Sequence, residues 1–301
     1  MSEKIGFIGL GNMGRPMSRR LVEAGFAVQG YDLDRARLAD VAASNRLSAA
    51  TGLKELARTS DIVITMLPNG HIVREVVLAP DGVAAGLKSG GVIVDMSSAG
   101  ATGTAQLGAE LKKRGIVLID APVSGGVAGA EAGTLSIMIG GDDEAAIARV
   151  QPILAAMGKN LFRCGKLGAG HATKSINNYL GAIACAATAE GLVMGTRFGI
   201  DPQTLLDVIN ASTGVNGASQ RLFPGQVMNR KFGAGFALAL MAKDVGLAAE
   251  LGRSLGMDAP YANLSEKLWA QARDAMPNAD FTEMAKWIER QNGVELKGRP
   301  S

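Results

Sequence analysis

The chain has 301 residues, room for two domains of ordinary size, and its 47% hydrophobic and 20% charged content argues against disorder. A net charge of +3, spread without a basic stripe, argues against nucleic acid as a partner, and two cysteines (Cys164 and Cys185) build no disulfide framework, so a reducing, cytoplasmic setting is expected. The N-terminus runs straight into a strand pattern, and no apolar run is expected to reach the length of a membrane span.

Lys4-Ile-Gly-Phe-Ile-Gly9 reads as a short buried strand that breaks into Gly9-Leu10-Gly11-Asn12-Met13-Gly14. A helix pattern follows, with Met17, Leu21 and Val22 on one face. Ala27 to Asp32 then reads as a second strand ending in an acid. This is G-x-G-x-x-G in its required setting, with a strand before it, a helix after it and an acid about 20 residues on. Gly9 permits the tight turn, Gly11 lets a pyrophosphate approach the backbone, and Gly14 lets helix pack on strand. The free N–H groups of the helix start favour phosphate. Asp32 can accept from ribose hydroxyls and repels a 2′-phosphate, which favours NAD over NADP. Arg35 and Arg37 read as solvated helix residues.

The alternation continues through strands at Asp61–Leu67, Gly91–Asp95 and Ile116–Asp120, with helices at about 69–79 and 101–113. This predicts an α/β fold with a Rossmann-type, doubly wound, mostly parallel sheet. Ligands of such sheets lie at the carboxyl ends of strands, so Leu67, Pro68, Ser97, Ser98, Ala121 and Pro122 are expected along the cofactor cleft. Ser124-Gly125-Gly126 follows the third of these strands. Consecutive glycine N–H groups and a hydroxyl suit a carboxylate, and a plain loop would look the same. A strand at Leu135–Gly140, a helix near 143–156 and a strand at Asn160–Arg163 close a first domain placed at 1–165.

Gly168 to Asn178 opens the second domain, 166–301. A long helix of about 170–198 is followed by helical patterns near 202–211, 216–229, 236–255, 260–274 and 281–291, so an all-helical domain is predicted. Lys174 and Asn178 are four apart and share a helix face. By residue type alone, Lys174 and Lys243 read as solvated surface lysines. His71 and His171 lack metal-ligand spacing and read as structural or surface residues, so no metal site is expected.

Four blocks together resemble the β-hydroxyacid dehydrogenase family over nearly the whole chain: Gly6 to Gly14, Asp120 to Gly126, Gly168 to Asn178, and Lys243-Asp244. The resemblance implies that Gly9, Leu10, Gly11, Asn12, Met13, Gly14, Asp32, Leu67, Pro68 and Ser98 hold NAD, with Lys243 near the nicotinamide. It implies that Ser124, Gly125 and Gly126 take the substrate carboxylate, with Asn177 also at the substrate. Lys174 would be the general acid/base, and Asn178 would help place substrate and lysine. The implied reaction is hydride transfer between NAD and a small 3-hydroxy acid, reversible to the semialdehyde, in a homodimer or homotetramer. Residues 210–223 face the substrate in the family. Within them Arg221 could pair a second carboxylate, as in 2-(hydroxymethyl)glutarate, or be a surface arginine. Ser97-Ser98-Ala99-Gly100 departs from the family in lacking a following proline. An imine reductase and a non-catalytic NAD-binding scaffold are the alternatives; Lys174 and the Ser-Gly-Gly run argue against both.

Overall fold

A computed structural model describes residues 3–299. The chain divides into two compact units, one ending at Lys174 and one beginning at Ser175. The expected boundary was 165/166. It moves nine residues on because the first turn of the long helix, Ala169–Phe198, is bonded to the first unit: Gly168 N–H and His171 N–H both donate to Asp120 at 2.7 Å.

The strands of the first unit are β1 (Lys4–Ile8), β2 (Ala27–Tyr31), β3 (Ser48–Ala49), β4 (Ile62–Thr65), β5 (Val92–Asp95), β6 (Val117–Asp120), β7 (Val123–Ser124), β8 (Leu135–Gly140) and β9 (Gly158–Gly165). They form one sheet in the order β3-β2-β1-β4-β5-β6-β8-β7, with β9 pairing β8. The run from β3 to β6 is parallel. The β8 strand is antiparallel to β6 and β7 and parallel to β9. The central strands are buried on both faces, as parallel strands under crossover helices must be. Successive residues feed opposite layers. Ile62, Ile64, Val92 and Val94 pack on one side with Met17 and Leu21, while Val63 and Ile93 pack on the other with Val73, Leu107 and Leu111.

Several short elements were not foreseen: helices Leu53–Thr59, Val83–Gly86 and Gly126–Ala132. Helix Arg35–Asn45 starts on Asp34, whose carboxylate accepts from Arg37 N–H.

In the second unit the long helix buries Ala182, Cys185, Ala189, Leu192 and Val193, a stripe at helical spacing. They share a core with Leu206, Phe223, Val245 and Trp269 from helices Pro202–Asn210, Ala218–Val227, Leu238–Ser254 and Pro260–Ala275. Burial pushes the Cys185 thiol up to about 12, so it is inert packing. Two expectations are corrected here. Residues expected as an α-helix at 216–229 form a π-helix, Ala218–Val227. Pro224 has no N–H to give an α-helical bond, and Asn216 Oδ1 takes the N–H groups of Ala218 and Ser219 at 2.9 and 3.0 Å. The long helix is also long and apolar enough to cross a membrane by length and composition, with mean hydropathy 1.2 over its best window. The same helix carries the buried stripe of the second unit, and its first turn is bonded to Asp120.

Candidate active site

The chain runs outward from β1 to β3 and then returns to build β4 on the other side of β1, so a topological switch point lies between β1 and β4. The glycine loop leaves β1 there. Gly9 has φ 93°, and a Cβ on it would lie 2.3 Å from Met66 O. A Cβ on Gly14 would lie 1.8 Å from Gly9 O, so helix Gly14–Glu23 sits hard against the turn. A Cβ on Gly11, by contrast, would meet no protein atom within 4 Å. Tight backbone on either side of an open approach is what a pyrophosphate needs, and the residues fit a dinucleotide.

Asp32, just past β2, is 8% exposed. Its Oδ2 accepts from Leu10 N–H (2.8 Å) and its Oδ1 from Asp34 N–H (2.9 Å), which pins the glycine loop to the end of β2. Each oxygen keeps a lone pair for a hydroxyl. Leu10 itself is 1% exposed and packs in the core, so only its backbone faces the loop, whereas Asn12 is exposed and Met13 half-buried. The two arginines are not simply solvated. Arg37 lies 3.5 Å from both Asp32 and Asp34, and Arg35 stacks over Tyr31 at 5.1 Å and donates to Thr51 O.

Leu67 and Pro68 follow β4 and Ser98 follows β5, so all three stand at carboxyl ends beside the switch point. Ser124 ends β7, half-buried, and Gly125 and Gly126 are exposed with φ 134° and 61°. Left-handed backbone here turns successive N–H groups the same way, as a nest requires. Arg20 on the glycine-loop helix donates to Ala132 O at 3.1 Å and so ties the helix after the nest to that element. Lys174 is half-buried on the long helix.

The second unit gathers a separate cluster. Asn178 donates to Asp244 Oδ2 at 2.6 Å, Lys243 Nζ lies 3.1 Å from Asp244 Oδ1, and the exposed Asn177 donates to Asn178 Oδ1 at 3.2 Å. Asp244 is 1% exposed, so its charge serves these partners. Arg221 is exposed on the π-helix, and among the described residues no ion pair or hydrogen bond joins it to this cluster.

His71 pairs with Glu75 on the surface, as expected. Of the two readings left open for His171, structural or surface, it takes the structural one: it is 1% exposed, with its ring between Ser97 and Thr104. Asp95 was read as a strand end, and Asp120 as a strand end that opens one of the family-like blocks, neither with a role of its own. The signal was in the sequence, since each closes an apolar strand (Val-Leu-Ile-Asp120, Val-Ile-Val-Asp95) where a buried carboxylate must find donors.

Glycine loop, pinned acid and switch point together define a dinucleotide-binding fold of the Rossmann type. Residues 4–165 match the model described as the NAD binding domain of 6-phosphogluconate dehydrogenase, and residues 168–288 the one described as NAD-binding of NADP-dependent 3-hydroxyisobutyrate dehydrogenase. The chain is 39% identical to 2-(hydroxymethyl)glutarate dehydrogenase of Eubacterium barkeri, covering 99% of this chain and 98% of that one. It is 35% identical to the NAD-dependent L-serine dehydrogenase of Pseudomonas aeruginosa, with 97% and 99% covered. The solved Mycobacterium tuberculosis 3-hydroxyisobutyrate dehydrogenase with L-serine superposes with a TM-score of 0.87 at 35% identity, with 96% and 99% covered. The chain belongs to the β-hydroxyacid dehydrogenase family. It is an NAD(P)-dependent dehydrogenase of a small hydroxy acid.

Proposed function

We propose that this enzyme oxidises, reversibly and with NAD, a small 3-hydroxy acid bearing a second carboxylate, through Lys174 as general acid/base. The observation that carries the diacid is Arg221, an exposed guanidinium with no ion-pair partner among the described residues. A guanidinium pairs a carboxylate through two parallel hydrogen bonds. The similarity to the 2-(hydroxymethyl)glutarate dehydrogenase supports the same class.

In this reading the Ser124 hydroxyl and the N–H groups of Gly125 and Gly126 hold the carboxylate nearer the reacting carbon. The nicotinamide, when bound, supplies the hydride acceptor. Lys174 as amine takes the proton of the substrate hydroxyl as the carbonyl forms, and as ammonium returns it in reduction, help worth roughly 10²–10⁴-fold. Asn178, one turn further on the same helix and held by Asp244, orients the oxygen that gains or loses that proton. The Asp32 carboxylate favours NAD, because a 2′-phosphate would be repelled and Arg37 is already engaged by Asp32 and Asp34.

The same reading makes the enzyme cytoplasmic, independent of nucleic acid and membrane, and self-associating. Ile176, Leu180, Met194 and Phe198 are exposed along the long helix, an apolar face suited to a second copy of this chain. Light scattering should give a dimer or tetramer that Leu180→Arg dissociates; a monomeric wild type contradicts this. For the substrate, steady-state rates with mono- and dicarboxylic 3-hydroxy acids are the test. Arg221→Ala should raise KM for the diacid about 10- to 100-fold, with kcat and the monoacid rate little changed, because a charge-assisted pair is worth about 1.5–3 kcal/mol. Equal loss on both substrates, or no loss, rejects the diacid.

A further inference from the structure

The carboxyl ends of β5 and β6 carry Asp95 and Asp120, 2% and 0% exposed, to which the proposed function gives no role. Asp120 is satisfied by the start of the long helix, with Gly168 N–H on Oδ1 and His171 N–H on Oδ2, both at 2.7 Å. Asp95 is satisfied from the sheet side: its Oδ1 accepts from the Thr65 hydroxyl at 2.9 Å and from Ser97 N–H at 3.0 Å. The His171 ring joins the two systems. Its Nε2 lies 3.1 Å from Ser97 O, and a carbonyl only accepts, so this nitrogen carries the hydrogen. Its Nδ1 lies 2.8 Å from Thr104 Oγ1. The Ser97 hydroxyl in turn accepts from Leu67 N–H at 2.9 Å.

One buried chain of hydrogen bonds therefore runs from the loop after β4, through the loop after β5, to the first turn of the long helix. Packing closes the same joint. A Cβ on Gly170 would lie 2.2 Å from Met138 O and 2.8 Å from Asp120 Oδ2. Lys174 follows His171 by three residues and Gly170 by four, so it stands one turn up on this fastened side.

We propose that Asp120 and His171 are positioning residues for Lys174, holding the helix start in register with the cofactor-facing loops that carry Leu67, Pro68 and Ser98. The proposal rests on Lys174 being the proton carrier. A misplacement of about 1 Å costs on the order of 10²-fold in rate, so a rigid joint of this kind acts on kcat.

The test compares Asp120→Asn, His171→Ala, His171→Gln and Lys174→Ala with wild type. Asp120→Asn sets a donor against a backbone N–H. His171→Gln keeps a donor for Ser97 O and a second polar atom toward Thr104, and His171→Ala removes both. Asp120→Asn and His171→Ala should lower kcat about 10- to 100-fold with KM for NAD within about twofold, while His171→Gln stays near wild type. In protein without cofactor, amide hydrogen exchange at residues 168–174 should quicken in the two damaging variants and not in His171→Gln. If Asp120→Asn does not fold, the two His171 variants decide. Wild-type kcat in His171→Ala, a kcat loss matched by an equal rise in KM for NAD, or a His171→Gln as slow as His171→Ala overturns the proposal. A fully active Lys174→Ala removes the proton carrier, and this proposal with it. An inactive Lys174→Ala beside a fast His171→Ala overturns the positioning role alone.

Discussion

The two units hold their functional side chains by different means. In the first, backbone and buried carboxylates fix the geometry. The glycine loop is pinned to Asp32 and the helix start to Asp120, and a Cβ at Gly14 or Gly170 would collide with backbone within about 2.2 Å. In the second, Asn178 and Lys243 share one buried acid, while Asn177 and Arg221 stand exposed, Arg221 on a π-helix. A π-helix is a strained form that recurs at functional sites. The difference is one of means: backbone packing and buried carboxylates hold the glycine loop and the helix start, whereas side chains gathered on Asp244 hold the cluster of the second unit.

The harshest way to break this comparison is to disturb the rigid side. Gly14→Ala should abolish NAD binding, by more than about 100-fold in Kd by fluorescence titration, because the new Cβ cannot coexist with Gly9 O at 1.8 Å. Unchanged affinity would mean that backbone packing does not fix the loop.

A smaller effect sharpens the contrast through acid. The Arg149 guanidinium grips Glu3 at 2.6 Å and holds its carboxyl below the ordinary value of 4.5; the Lys88 ammonium, then Lys4 N–H, does the same for Asp61 below 3.8. A carboxyl depressed in the folded state adds stability that is complete above its unfolded value and fades as pH falls through the folded one. Glu3→Gln should therefore be less stable than wild type above about pH 5, and the gap should close as pH falls below about 4. Urea unfolding at pH 7 and pH 3.5 measures it. A gap that widens in acid would contradict the assignment. In the second unit the lowered carboxyls, Asp201 beside Thr204 and Asp274 beside Arg273, are exposed and should leave little acid signature.

Sequence made most of the first unit legible, because each cofactor feature is local. Gly9 to Gly14 lies within one turn, and Asp32 ends the next strand. The strand Ile62–Thr65 was legible as an apolar run, whereas the split of Ile62 and Ile64 from Val63 between two core layers came from the structure. The joint at Asp120 was not, because its partners lie 48 and 51 residues away and only the crossing of the chain brings them together. His171 could be read only as structural or surface for that reason. The π-helix was hidden because apolar spacing fits α and π turns alike over ten residues, and only Pro224 and the Asn216 side chain decide between them. Arg221 remained a choice between surface and substrate because an exposed arginine looks the same in either role.

The central claim is that Lys174 moves the substrate proton while the first unit holds NAD without it. Turnover and NAD affinity of Lys174→Ala, measured on one folded preparation, test that claim most directly. The account predicts a kcat lower by roughly 10²–10⁴-fold with Kd for NAD within about twofold. A variant that turns over like wild type, or one that loses activity only because it has lost NAD, would contradict it.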